Sequence, residues 1–208
     1  MRGYFISIEG SDGSGKSTQL KRIVAYLEKQ GFSVLVTREP GGTPVAEKIR
    51  ELILDTDNKA LTDKAEMLLY AASRAQHTAE KILPALEQGK IVISDRFADS
   101  SIAYQGYGRE LGSMVAQVNA IATGGLSPDL TIFLDVPPKV GLFRKETETS
   151  HTLDRLEMEK LEFHERVYEG YQALCKEYPK RIYAVDGTKE PEAVFMELQK
   201  ALDGLLQG

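Results

Sequence analysis

The sequence predicts an α/β fold: a five-stranded parallel sheet with helices on both faces and a short lid. Three observations carry that expectation. Five short runs, Tyr4–Glu9, Ser33–Thr37, Lys90–Ser94, Leu130–Val136 and Arg181–Val185, are nearly continuous in apolar residues, as strands buried on both faces are. Longer stretches with helical spacing separate them, and that alternation gives parallel strands joined by crossover helices. One charge-dense, weakly apolar stretch, Arg144–Thr152, breaks the pattern late in the chain and reads as a mobile loop.

Taken in order, Tyr4–Glu9 is the first buried strand. Thr18–Gln30 carries Leu20, Ile23, Val24 and Leu27 at i, i+3, i+4, i+7 spacing, which is one face of a helix, and Gly31 stops it. Ser33–Thr37 is the second strand. Thr43 suits a helix N-cap and Pro44 the first helical position, so a helix opens there and runs through Leu54. Thr62–Gln88 reads as one long helix with a kink at Pro84, which has no N–H to donate. Lys90–Ser94 is the third strand. Asp99–Gly108 is polar, aromatic and broken by glycines, and reads as a loop. Helices are expected over Ser113–Thr123, Arg155–Tyr178 and Pro191–Leu206, with the fourth and fifth strands between them.

A chain of 208 residues is about one domain, so residues 1–208 are expected to form a single domain with a lid at about 144–155. Lys+Arg 26 against Asp+Glu 31 leaves a net charge of −5, which argues against non-specific binding to nucleic acid or an anionic membrane. Hydrophobic content of 42% with 27% charged residues belongs to an ordinary globular protein. The one cysteine, Cys175, permits no intrachain disulfide and no Cys-based zinc site. It shares a helix with Val167, Tyr171 and Leu174 and reads as packing. His77, His151 and His164 are too scattered to suggest a metal set and read as surface or packing residues. No run is long enough for a signal h-region or a membrane span. A soluble cytoplasmic protein is the expectation.

Gly10-Ser11-Asp12-Gly13-Ser14-Gly15-Lys16-Ser17 fits G-x-x-x-x-G-K-[ST], set between a strand and a helix that opens at Thr18. This is the phosphate loop of the P-loop NTPases. Glycines let backbone N–H groups close around phosphate oxygens, and the helix N-terminus adds partial positive charge. Lys16 is expected at the β/γ-phosphates and the Ser17 hydroxyl on Mg²⁺. The cradle is shared by kinases, GTPases and mechanical ATPases. A GTPase would carry Asn-Lys-x-Asp; here the only Asn-Lys is Asn58-Lys59-Ala60-Leu61, which lacks the aspartate.

Other candidates fall just past strand ends, where ligands bind in such sheets. Asp95-Arg96 places a magnesium-side carboxylate and a phosphate-binding fork there, or else a capping ion pair. Arg38 and Glu39 enter just before the tight turn Pro40-Gly41-Gly42, or form a solvated pair. Tyr70 and Arg74 lie four apart on one helix face, which suits stacking on a base and reaching its carbonyl. A core aromatic beside a surface arginine fits the same spacing.

In combination and in order, IEGSDGSGKSTQ at 8–19, TREPGGTPVAEKIR at 37–50, EMLLYAASRAQH at 66–77, SDRFADSSIAYQGYGR at 94–109, ATGGLSPDLTIFLDVPP at 122–138 and LDRLE at 153–157 resemble a bacterial thymidylate kinase. The segments span nearly the whole chain. The resemblance implies a nucleoside monophosphate kinase that transfers one phosphoryl group from ATP, with Mg²⁺, to dTMP, giving dTDP for dTTP biosynthesis, on a homodimer. It implies that Gly10 to Thr18 bind ATP, and that Asp12 also contacts the sugar 3′-hydroxyl of the acceptor. Arg38, Glu39, Arg74, Asp95 and Arg96 match the acceptor side, with Asp95 also on the metal side. Tyr70 matches an aromatic, usually phenylalanine, that stacks on thymine. Tyr104 and Gln105 match the segment facing base and sugar, residues 144–155 the lid, and Asp186–Lys189 the adenine loop. Some members carry an arginine in the phosphate loop, where this chain has Gly13, so the resemblance is to the type whose lid supplies that charge. Arg155, expected at the start of a helix, is favoured over Arg144, and Lys145 lacks the planar fork.

The chemistry asks for no dedicated general base. A nucleoside monophosphate has a second pKa near ~6 and is mostly ionised at neutral pH. Catalysis reduces to in-line positioning and neutralising charge between two phosphates. Two rivals stay open on the sequence: a P-loop kinase for a deoxynucleoside or another monophosphate, and a nucleotide-binding switch with no small-molecule acceptor.

Overall fold

Period-two alternation divides the central strand β1 (Phe5–Glu9) between two faces of the sheet. On one face Ile6 and Ile8 join Ile91 and Ile93 of β3 (Ile91–Asp95) and Ile132 and Leu134 of β4 (Leu130–Asp135). Helix α1 (Lys16–Lys29) covers them with Ile23 and Leu27, and α9 (Pro191–Gln207) with Val194, Leu198 and Leu202. Burial of each such side chain is worth about 1.5–3 kcal/mol. On the other face Phe5 packs with Val92 and Phe97, while Phe133 stacks on Tyr171 of α8 (Leu161–Glu177). Ser7 and Glu9 fall on this second face.

The computed structural model describes residues 2–147 and 154–207. All strands pair in parallel, in the order β2-β3-β1-β4-β5, with β2 at Val34–Arg38 and β5 at Ile182–Asp186. Register aligns their carboxyl ends: Ile8 pairs with Asp95, and Arg38 pairs with Asp95. Glu9, Arg38 and Asp95 therefore reach one rim, and the phosphate loop and the segments that carry Arg38 and Arg96 start there. No helix among the described residues is long and apolar enough to cross a membrane.

Helix α2 (Pro44–Leu54) begins as its residues dictate: Thr43 accepts the Ala46 N–H at 3.5 Å, with Pro44 in the first turn. Three expectations change. The long helix holds through α3 (Asp63–His77), but the disturbance sits ahead of Pro84, as a π-helical turn at Thr78–Ile82 before α4 (Leu83–Glu87). The proline ring crowds the turn before it, and a wider turn with a five-residue hydrogen bond relieves this. Asp99–Gly108 is not a loop. It is helical, α5 (Ala98–Ser101) running into a π-helical stretch, Ile102–Gly108. Gly108 serves close packing: a Cβ there would lie 2.7 Å from the Phe163 ring. The helix expected from Arg155 starts only at Leu161, and Arg155 sits in a turn. Helices α6 (Met114–Thr123) and α7 (Pro138–Glu146) complete the fold. Of the expected lid, residues 148–153, with His151, lie outside the described residues.

Candidate active site

The phosphate loop leaves β1 and enters α1 in the glycine-dependent conformation its sequence requires. Gly13 has φ 73° and Gly15 φ 93°, a region costly to residues with a Cβ. A Cβ on Gly13 would also lie 2.1 Å from the Gly141 carbonyl oxygen, so α7 rests directly on the loop and an arginine cannot replace this glycine without moving it. Lys16 arches back, its Nζ 3.1 Å from the carbonyl oxygens of both Gly10 and Ser11. Burial, together with the Arg96 charge, lowers its ammonium to about 8. Asp12, Gly13, Ser14, Gly15, Lys16, Ser17 and Thr18 line one cavity of about 750 Å³. Gly10 and Ser11 are outside its wall and act by holding Lys16.

Arg96 stands at the centre. Its backbone has φ 70°, rare for a non-glycine residue, and its side chain is gripped from all sides. Nη2 reaches Asp12 Oδ1 at 2.8 Å and the Tyr104 hydroxyl at 3.1 Å, while Nη1 reaches Ser100 Oγ at 3.2 Å and the Tyr171 hydroxyl at 3.3 Å. Burial opposes ionisation of Asp12, but Arg96 and Lys16 outweigh it and hold the carboxyl well below the usual range. Asp95 has a buried carboxylate oxygen, Oδ1, with no hydrogen-bond partner among the described residues. With the exposed Ser17 hydroxyl in the same cavity wall, this donor set of hard oxygens fits Mg²⁺.

The acceptor end is built from scattered segments. Arg38 reaches the Pro40 carbonyl at 2.7 Å and Glu47 at 2.8 Å. Arg50, which sequence reading missed, donates to the same Pro40 carbonyl at 3.0 Å and lines the cavity. Its signal was available: Glu47, Arg50 and Leu54 lie at i, i+3, i+7 on α2. Tyr70, Tyr104 and Gln105 line the cavity as expected. Gln105 Nε2 donates to Glu66 at 2.9 Å, and Glu66 is fully buried.

Arg74 departs from expectation. It is 1% exposed and lies beneath the cavity, not in its wall. Its Nε meets Glu39 at 2.7 Å, and its other nitrogens reach Ser101 at 2.9 Å, Asn119 at 2.6 Å and the Phe97 carbonyl at 3.0 Å. Four of the five guanidinium N–H donors are thereby engaged. Glu39 is held in turn by His77 at 3.0 Å, and His77 by Thr37 at 2.7 Å, so His77 is buried and hydrogen-bonded.

The two lid candidates separate cleanly. Arg144, at the end of α7, lines the cavity, 3.0 Å from the Gly187 carbonyl and 3.5 Å from that of Gly13. Lys145 also lines it, paired with Glu157. Arg155 is outside the cavity wall: it reaches the Ile53 carbonyl at 3.0 Å and Glu66 at 2.6 Å. The expectation that a helix start holds Arg155 toward the phosphates fails, because Glu66 on α3 captures the guanidinium from the other side. Cys175 packs against the α8 core, and burial pushes its thiol up to about 11.

Comparison with known proteins agrees with this geometry. The thymidylate kinase family model matches residues 8–198. The chain is 54% identical over 197 residues to a thymidylate kinase of Lactobacillus delbrueckii subsp. bulgaricus, covering 93% of each chain. It is 51% identical over 209 residues to one from Caldanaerobacter subterraneus subsp. tengcongensis, covering 100% of this chain and 99% of that one. A crystal structure of thymidylate kinase from Ehrlichia chaffeensis superimposes with a TM-score of 0.77 at 34% identity, over 98% of this chain and 99% of that one.

Proposed function

We propose how this chain, which belongs to the thymidylate kinase family and so transfers a phosphoryl group from ATP to dTMP to give dTDP, divides that work among its residues. One observation carries the assignment: a single cavity runs from the phosphate loop to Arg38, Tyr70 and Gln105, with Arg96 at its middle. The donor and acceptor phosphates meet beside that guanidinium.

Residues 12–18 cradle the ATP phosphates, with Lys16 swinging from its two carbonyl partners to the β/γ-phosphates. Ser17 and Asp95 would hold Mg²⁺, which when bound neutralises phosphate charge. Arg96 offers a planar fork to the acceptor phosphate, and Arg38 and Arg50 supply further charge at that end. Asp12, held ionised by Arg96, is placed to accept a hydrogen bond from the acceptor's 3′-hydroxyl. Tyr70 stacks on the base. Gln105, with one N–H on Glu66, keeps its carbonyl oxygen for a base N–H. Arg74 supports Glu39 and α5 from below.

Arg144, and not Arg155, takes the role of the lid arginine in this reading, because it stands in the cavity wall next to the phosphate loop. Arg155 instead ties residues 154–157 to α3. For the homodimer, support comes from one layer: α2, α3 and α6 pack side by side and expose Leu52, Leu68 and Ile121 at 53%, 55% and 83%. An apolar surface of this kind suits a second copy, and the protein works in the cytoplasm.

A coupled assay with ATP, Mg²⁺ and a panel of nucleosides and monophosphates tests the whole reading. Turnover with dTMP alone supports it. Turnover with a nucleoside, or ATP hydrolysis without acceptor, contradicts it.

A further inference from the structure

We propose that Glu9 is a positioning residue: its carboxylate fixes the hydrogen-bond direction of the Ser100 and Tyr171 hydroxyls and through them aims the Arg96 guanidinium at the phosphates. The proposal rests on the role given to Arg96 above and extends it to a residue that touches no substrate.

The geometry begins in the strand. Alternation along β1 turns Ile6 and Ile8 into the α1 side and Glu9 into the opposite layer, where it is 0% exposed. Both of its oxygens are filled by donors. Oε1 accepts the Phe97 N–H at 2.8 Å and the Ser7 hydroxyl at 3.4 Å. Oε2 accepts the hydroxyl of Ser100 and that of Tyr171, the latter at 3.0 Å. These same two hydroxyls, 2.9 Å apart, accept Nη1 of Arg96 at 3.2 and 3.3 Å.

A hydroxyl has one proton to give. Burial and the nearby Asp99 charge raise the Glu9 carboxyl, while the four donors on its oxygens and the Arg96 charge favour its ionised form. Ionised, it is acceptor-only, and each hydroxyl stands between it and a donor-only guanidinium. Both protons are drawn to Glu9, and both hydroxyls turn lone pairs to Arg96. Asp12 grips the other nitrogen of the fork at 2.8 Å, so the guanidinium is fixed at both edges, by direct contact in front and by the relay behind. The other charged groups around Glu9 do not replace it. Asp99 on α5 is taken up by Arg181 at 2.6 and 2.9 Å, and Lys16 on α1 faces the phosphate loop. A neutral amide at position 9 would bring donors of its own toward the hydroxyls, and at least one would have to turn its proton toward Arg96.

The test uses steady-state kinetics with dTMP and ATP on the full chain. Glu9→Gln keeps the side-chain shape; kcat is expected to fall at least about tenfold, with KM for ATP within about twofold of the parent. Tyr171→Phe should lower kcat less. The double variant Glu9→Gln/Tyr171→Phe should be no slower than Glu9→Gln, because both act through one chain of hydrogen bonds. A parental kcat in Glu9→Gln, or losses that multiply in the double variant, overturns the relay. If Glu9→Gln fails to fold, Ser100→Ala/Tyr171→Phe takes its place: loss of both hydroxyls must lower kcat at least about tenfold, and a parental kcat overturns the proposal. Arg96→Ala separates the two layers of the argument. If it retains parental kcat, the role of Arg96 itself falls and the relay with it; if it is inactive while Glu9→Gln is not, only the relay falls.

Discussion

At the donor end of the cavity seven consecutive residues, Asp12 to Thr18, line the wall; at the acceptor end Arg38, Tyr70, Arg96, Gln105 and Asp154 come from four separate segments, with Arg96 and Gln105 sharing one. In the proposed reading the donor end works mainly through backbone N–H groups and one lysine, held by local turn geometry. The acceptor end works through side chains, three of them held by an ion pair or hydrogen bond to another element: Arg96 by Asp12, Gln105 by Glu66, Arg38 by Glu47. The difference teaches where damage should appear. Substitution at the donor end removes transition-state charge and leaves the fold alone. Substitution in the acceptor networks that reach Glu66 strands a buried partner, and so costs stability or acceptor binding as well.

The largest expected effect tests the donor side. Lys16→Ala should lower kcat by about 10³-fold or more, which is several kcal/mol of barrier, with the melting temperature nearly unchanged. Retention of activity within tenfold would break the comparison at its first term. Next, Arg144→Ala and Arg155→Ala should behave differently. Arg144→Ala is expected to lower kcat by roughly 10²-fold with little change in KM for ATP. Arg155→Ala should chiefly lower the melting temperature and raise KM for dTMP, since its contacts are Ile53 and Glu66. The reverse outcome would return the lid role to Arg155.

A third experiment sharpens the acceptor side. Glu66 gathers Gln105 and Arg109 from the end of the π-helical stretch and Arg155 from the turn ahead of α8. Glu66→Gln should cost about 2 kcal/mol, or about 4–8 °C in melting temperature for a chain of this size. A thermal denaturation curve identical to the parent's would show that these pairs are dispensable. The smallest effect belongs to Tyr70→Ala, which should raise KM for dTMP through a stacking loss of roughly 1–3 kcal/mol. An unchanged KM in a folded variant would return Tyr70 to the core.

Much of the donor end was legible in the sequence because its parts are neighbours in the chain. Glycine spacing, the lysine and the strand–helix context lie within a dozen residues, and the five strands announced themselves through apolar runs of the right length. The helix cap at Thr43-Pro44 was equally local. The acceptor end was legible only as a set of residue types at strand ends. Helical spacing correctly put Tyr70 and Arg74 on one face, but spacing gives a direction and not a depth. Tyr70 reaches the cavity, while Arg74, one turn further along, is sealed beneath it.

The sequence by itself determined the sheet, the phosphate loop and the positions from which charge enters the site, since each depends on contacts within a few residues or on hydrophobic periodicity. Only the tertiary structure decided which charge each arginine answers to. Arg96 meets Asp12 across 84 residues, Arg155 meets Glu66 across 89, and Tyr171 meets Glu9 across 162. A hydrogen bond acts over about 3 Å, so such pairings follow from strand order and helix packing. For the same reason Glu9, which reads in the sequence as the last residue of a buried strand, became visible as a positioning group only once α5 and α8 had brought two hydroxyls to its side.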